Sequence, residues 1–269
     1  MRSRKRFGQH FLEPAWVTKI VDRIAPQPGE TIVEIGPGRG ALTLPIAARN
    51  ARVMAIEIDR DLAADLTKVA PPTVTVIVAD FLKWPATELR SVGPQVRLVG
   101  NLPYYISSPL IFRILDLVRS QQLFSDAYLM LQSEVAERVV AGAGSGDYGP
   151  LSIFVGVEAE AQRILELPPG AFRPMPTVSS TLVRFRFRPS PVAIPDFALF
   201  SRIVRAIFTQ RRKTVGNALK AVATAEGLTA AVVLEEAGLD PRRRPETLQL
   251  SELAALTATF SSKVDKDML

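Results

Sequence analysis

Short apolar runs alternate with longer amphipathic stretches through the first half of the chain. Thr31–Ile35, Val53–Ile58, Val74–Ala79, Val96–Val99 and Ala127–Leu131 have the length and composition of strands. Between them, Leu42–Arg49, Leu62–Val69 and Pro109–Val118 repeat apolar positions at helical spacing. This alternation predicts a mostly parallel sheet with helices on both faces, because parallel neighbours need a crossover connection. Ser152–Val157 and Thr181–Phe187 read as two more strands and bring the sheet to seven, with the turn-forming Leu167-Pro168-Pro169-Gly170 between them. Thr181–Phe187 alternates apolar with polar or basic residues, as a half-exposed antiparallel edge strand does.

Pro189-Ser190-Pro191 and Pro195 then break the pattern. Beyond them only helical spacing is found, in Phe197–Phe208, Thr214–Ala225, Ala230–Ala237 and Ser251–Phe260, with Gly227 and Gly238 as helix stops. The expected organisation is an α/β domain over 1–190 and a small all-helical domain over 191–269, with a frayed end at Ser261–Leu269. A chain of 269 residues accommodates both.

Composition removes several classes of chemistry. The absence of cysteine excludes disulfides, thiolate metal sites and a cysteine nucleophile. The single His10 excludes a histidine-rich metal centre, so no metal is expected. No apolar run reaches the ~18 residues of a membrane span. Arg2, Arg4, Lys5 and Arg6 are not followed by the apolar core of a secretory signal, and the expected location is the cytoplasm. Lys and Arg number 33 against 27 acidic residues, with a pI near 9.8. That balance suits a polyanionic partner such as nucleic acid, and a generally basic solvated surface would produce it too.

The candidate chemistry gathers at the carboxyl ends of the predicted strands, where open α/β sheets bind ligands. Val33-Glu34-Ile35-Gly36-Pro37-Gly38-Arg39-Gly40 joins the first strand to a helix. Glycines there allow a tight turn and close approach of backbone to a ligand at the positive end of a helix. The third glycine falls one position early for the dinucleotide fingerprint, so the loop alone does not separate a nicotinamide from another nucleoside. Glu57 ends the second strand, at a distance from the loop that suits a carboxylate accepting ribose hydroxyls. Asp59 reads as the cap of the next helix. Asp80-Phe81 closes the third strand; its carboxylate can accept from an adenine amino group, although a lone acid there more often caps a turn. Asn101-Leu102-Pro103-Tyr104 follows the fourth. A carboxamide oxygen and a backbone carbonyl can take both N–H bonds of an exocyclic amine, Tyr104 can stack on the base, and Pro103 stiffens the turn. Tyr105 either lines the same pocket or packs beneath it.

With these residues in view, the chain resembles the S-adenosylmethionine-dependent rRNA adenine dimethyltransferases, in particular the KsgA/RsmA branch that acts on small-subunit rRNA. The resemblance rests on Phe7-Gly8-Gln9-His10-Phe11-Leu12, the Gly36 loop, Glu57, Asp80 and the Asn101–Tyr104 tetrapeptide. Phe172-Arg173-Pro174-Met175-Pro176-Thr177-Val178-Ser179-Ser180 and Gln210-Arg211-Arg212-Lys213-Thr214 add to it, and it runs from about Arg6 to about Leu253. Many members carry asparagine where this chain has His10, so a purely structural role for that histidine stays open.

The resemblance implies a Rossmann-like methyltransferase fold and S-adenosylmethionine as cofactor, held by His10, Leu12, Gly36, Glu57, Asp80 and Asn101. It implies catalysis by Asn101, Leu102, Pro103 and Tyr104 on N6 of two adjacent adenosines near the 3′ end of small-subunit rRNA. The implied partner is that rRNA or the immature small subunit; the oligomeric state is left open by the sequence, with a monomer favoured. Candidate RNA contacts are Arg2–Arg6; Arg184, Arg186 and Arg188; Arg211-Arg212-Lys213; and Arg242-Arg243-Arg244, with the helical domain gripping the RNA. The alternatives are a large-subunit rRNA methyltransferase of the macrolide-resistance type and a non-catalytic assembly or transcription factor of the same fold. DNA adenine methyltransferases usually place an acid where Asn101 stands, and the sequence offers no acid–base pair for a nicotinamide oxidoreductase.

Overall fold

A computed structural model describes residues 10–90, 93, 95–122 and 124–267. The basic run Arg2–Arg6 and the Phe7–Gln9 end of the first motif lie outside the described residues. The chain divides into two compact units. One comprises the chain up to Val140 together with Glu158–Arg188; the other comprises Ala141–Val157 and Pro189–Leu269.

The first unit carries β1 (Phe11–Leu12), α1 (Pro14–Ile24), β2 (Thr31–Ile35), α2 (Thr43–Ala47), β3 (Arg52–Glu57), α3 (Arg60–Val69), β4 (Val74–Val78), α4 (Ala86–Arg90), β5 (Val96–Asn101), α5 (Ser107–Gln121), β6 (Phe124–Gln132) and α6 (Ser133–Val140). After α7 (Pro150–Glu158) it resumes with β7 (Ala159–Leu167), β8 (Phe172–Arg173) and β9 (Ser180–Phe187). Seven strands form one sheet in the order β4-β3-β2-β5-β6-β9-β7. The first five run parallel, β9 is antiparallel to β6, and β7 is antiparallel to β9. Strand order reverses between β2 and β5, and a crevice at the carboxyl ends of those two strands follows from that topology. Ile32, Val33, Leu98 and Val99 are fully buried, as befits central parallel strands covered on both faces.

Helix α1 turns Val17, Ile20, Val21 and Ile24 inward at i, i+3, i+4 and i+7. Burying each such side chain contributes roughly 1.5–3 kcal/mol. Pro14 opens the helix with its φ already set, and Ala25 closes it in the left-handed region. Just before it, β1 pairs with β8, so the segment at Phe11–Leu12 is held against Phe172–Arg173. Asp59 caps α3 as expected, accepting from the N–H groups of Asp61 and Leu62.

Two expectations are corrected. Ser152–Val157 is helical, part of α7, and the strand is the following segment, β7. The helix is apolar on all sides, with Ile153, Phe154, Val155 and Val157 buried, so its periodicity is masked. Conversely, Ala159–Leu167 is built of good helix formers, and pairing with β9 overrides that preference. Strand β9 is also not an edge. It lies between β6 and β7, and its basic residues reach across to neighbouring strands: Arg184 pairs with Asp126 at 3.1 Å and Arg186 with Glu160.

The second unit contains most of α7, then α8 (Phe197–Thr209), α9 (Val215–Ala225), α10 (Ala230–Glu236) and α11 (Leu250–Asp267). Asp196 caps α8 by accepting from Leu199 N–H at 2.9 Å. Segment 141–157 enters this unit through aromatic packing. Phe154 lies 5.9 Å from Phe197 and 6.0 Å from Phe200, and Tyr148 lies 6.0 Å from Phe208. A single boundary near residue 190 therefore misses an excursion of the chain into the helical unit. Helix α11 continues to Asp267, past the expected start of fraying at Ser261. Among the described residues, no single helix is long and apolar enough to cross a membrane.

Candidate active site

The glycine loop after β2 is shaped by three different constraints. Gly36 has φ +67°, a conformation other residues adopt at a cost, and a Cβ there would meet open space. Gly38 donates its N–H to Glu57 Oε2 at 2.9 Å. Gly40 has φ +81°, and a Cβ there would also lie 2.6 Å from Leu66 Cδ1 of α3, so that side chain would have to shift. The early third glycine thus answers to backbone conformation first and to the contact with α3 second.

Glu57, at the end of β3, is buried and receives two backbone donors. Gly38 N–H binds Oε2 and Asp59 N–H binds Oε1, both at 2.9 Å. Burial raises its pKa, and the two N–H groups oppose that shift. Each carboxylate oxygen has a second acceptor direction, so Glu57 still has capacity for a ligand hydroxyl. Glu34, in β2, is also buried, and its Oε2 accepts from Thr43 Oγ1 at 2.6 Å. Burial pushes its carboxyl up to about 7, with the Glu57 charge adding to the shift. Sequence reasoning quoted Glu34 within the loop motif and assigned it no role. The available signal was an acid inside an otherwise apolar central strand.

At the end of β5 the tetrapeptide forms a fixed turn. Asn101 pairs with Met130 across the sheet, and the Leu102 side chain is fully buried. Asn101 Nδ2 donates to the backbone carbonyl of His10 at 2.9 Å. The amide is thereby oriented, and among the described residues Oδ1 has no hydrogen-bond donor. Pro103 leads into a single 3₁₀ turn over Tyr104–Ile106. The Tyr104 hydroxyl is hydrogen-bonded to Ser180 Oγ at 2.8 Å, and burial raises its pKa, which keeps the phenol neutral. The His10 ring is stacked on Tyr104, with centroids 5.2 Å apart and an interplanar angle of 23°. His10 Nδ1 lies 2.7 Å from the Pro174 carbonyl, which only accepts, so the hydrogen is on Nδ1 and Nε2 remains for another partner.

These residues converge on one cleft. Its lining includes His10, Leu12, Glu34, Gly36, Glu57 and the stretch from Asn101 to Ile106. The cleft is open at its mouth, with about 870 Å³ of non-atom space when the adjoining solvent is included. Tyr105 is part of the lining and is 62% exposed, which answers the question of whether it packs beneath the pocket. Asp80 and Phe81 are not in the lining. Asp80 accepts from Leu82 N–H at 3.0 Å and holds the turn after β4, and Phe81 is buried.

A seven-stranded, mostly parallel sheet with a glycine loop, an acid at the next strand end and Asn-Leu-Pro-Tyr at the switch point defines a Rossmann-like protein of the methyltransferase class. The family model described as ribosomal RNA adenine dimethylase matches residues 1–256, and the chain belongs to that family. A relative from Thiobacillus denitrificans, named ribosomal RNA small subunit methyltransferase A, is 43% identical over 97% of this chain and 98% of its own. Among solved structures, a dimethyladenosine transferase from Plasmodium falciparum aligns with a TM-score of 0.76 and 25% identity, covering 94% of this chain and 98% of the other. The 23S rRNA methyltransferase ErmE aligns with a TM-score of 0.63 and 25% identity, covering 93% and 99%.

Proposed function

We propose that this protein transfers methyl groups from S-adenosylmethionine to N6 of two adjacent adenosines near the 3′ end of small-subunit rRNA, as a step in ribosome biogenesis in the cytoplasm. The observation that carries the reading is the orientation of Asn101. Its Nδ2 is committed to the His10 carbonyl, which leaves Oδ1 as an acceptor at the cleft.

When bound, S-adenosylmethionine supplies an electrophilic methyl carbon. The residues present fit such a cofactor. Gly36 leaves open space beside the loop backbone, and Glu57 retains acceptor capacity for ribose hydroxyls. His10 and Leu12 line the same cleft. We also assign the adenine amino group to Asp80, which lies outside the cleft lining and whose carboxylate accepts from Leu82 N–H through Oδ1 alone, keeping acceptor capacity on Oδ2.

Adenine N6 is a weak nucleophile because its lone pair is delocalised into the ring. The Asn101 Oδ1 and Leu102 carbonyl oxygens accept its two N–H bonds, favour a pyramidal nitrogen and stabilise the positive charge that grows there. Tyr104 stacks on the base and Pro103 holds the turn. A target base has to leave its stack, at a cost of a few kcal/mol that is smallest in RNA loops. The extra proton on the methylated nitrogen is acidic enough to pass to water, so no side-chain base is needed.

The reading is tested by offering labelled cofactor to immature small subunits and mapping the modified adenines. Label on two adjacent adenosines of the small-subunit rRNA is expected. Label on large subunits alone would favour the ErmE-like alternative, and no cofactor binding would favour a non-catalytic assembly factor.

A further inference from the structure

Tyr105 is a large, exposed aromatic beside the catalytic tetrapeptide, and the reaction as derived gives it nothing to do. It lines the cleft and is 62% exposed, whereas Tyr104 is half-buried and tied to Ser180. Both residues lie on the 3₁₀ turn Tyr104–Ile106, where successive side chains diverge by about 120°. The two rings therefore cannot flank one base as parallel plates. The turn leads directly into the fifteen-residue α5, so the Tyr105 backbone is held on a rigid element at the mouth.

Extracting a base from a strand leaves its neighbours without a stacking partner on the vacated side. Resting on the reading proposed above, the neighbour of each target is another adenosine, a purine with a wide π-face. We propose that Tyr105 is the stacking platform for the nucleotide next to the target, holding the second adenosine at the mouth while the first is engaged at Asn101. Aromatic platforms of this kind serve single-stranded nucleic acid through the ring face and tolerate any aromatic side chain. They are worth a factor of about 5 to 150 in affinity per base.

The experiment compares Tyr105→Ala, Tyr105→Phe and Tyr105→Trp with wild type on immature small subunits. The alanine variant is expected to raise KM for the subunits by about 5- to 150-fold, well beyond any change in cofactor Kd. Phenylalanine and tryptophan are expected to restore KM to within a few-fold. In subunits carrying 2-aminopurine at the neighbouring position, fluorescence should stay quenched with wild type and brighten with the alanine variant. An unchanged KM and unchanged fluorescence for Tyr105→Ala would overturn the inference, as would a phenylalanine variant as impaired as alanine. Wild-type protein that methylated no small subunits would instead remove the parent reading, which the same assay reports separately.

Discussion

Asn101 and Glu34 show how neighbouring contacts set what a single polar side chain can do. The Asn101 amide is held by the His10 carbonyl, 91 positions away in the chain, so its oxygen is presented without a search. Removing one preorganised acceptor of developing charge typically costs ~10²–10³ in rate. Asn101→Ala is expected to lose methyl transfer by at least about that factor while its thermal unfolding stays close to wild type. A rate within a few-fold of wild type would rule out the assigned role. Glu34 carries a second expectation, in stability. Its carboxyl titrates near 7 in the folded protein and at 4.5 in the reference state. Between those values the folded chain holds a proton that the unfolded chain has released, so stability falls as pH rises through that window. Glu34→Gln keeps an acceptor for Thr43 and carries no charge. Urea unfolding at pH 5 and pH 8 should show wild type losing up to about 3 kcal/mol relative to this variant. Parallel pH profiles for the two proteins would contradict it.

Elements behave differently from residues because their partners decide their state. Helix α7 is apolar all round and belongs to the helical unit, where Phe154 packs on Phe197 and Phe200. A truncation after Arg188 leaves this helix but removes those partners. We expect the truncated protein to aggregate or to lose near-ultraviolet signal. A truncated protein that ran as a monomer on analytical size exclusion with its near-ultraviolet signal intact would show that α7 does not need those partners. The strands β2 to β6 were legible in the sequence because each is a short apolar run bounded by loops. The exchange of roles between Ser152–Val157 and Ala159–Leu167 was not legible. A β-branched run went to helix and a run of helix formers went to strand, because only the unpaired flank of β9 and the aromatic cluster of the helical unit decide between them.

At the scale of the molecule, the net charge of +6 is unevenly available for RNA. Arg184 and Arg186 are in ion pairs with Asp126 and Glu160, Arg242 pairs with Asp240, and Arg243 pairs with Glu252. Within the Gln210–Thr214 run, Arg211 donates to the Gly146 carbonyl, while Arg212 and Lys213 have no ion-pair partner among the described residues. If the helical domain grips rRNA through these two, the double variant Arg212→Ala, Lys213→Ala should bind more weakly. The slope of log affinity against log salt should flatten by about 1.4, the increment for two contacts on single-stranded RNA. An unchanged slope would take that run out of the interface.

The sequence by itself determined the strand-loop-helix order around Gly36, the acid after β3, the tetrapeptide after β5 and the helical character of the C-terminal part. All of these are local, written in side-chain periodicity and in spacing of a few residues. Tertiary structure alone decided that β9 is interior. It alone decided that His10, 91 positions before Asn101, fixes the amide of that residue. Such contacts join segments far apart in the chain, and their energy appears only once the fold has set His10 beside the end of β5 and β9 between β6 and β7, so no local pattern encodes them.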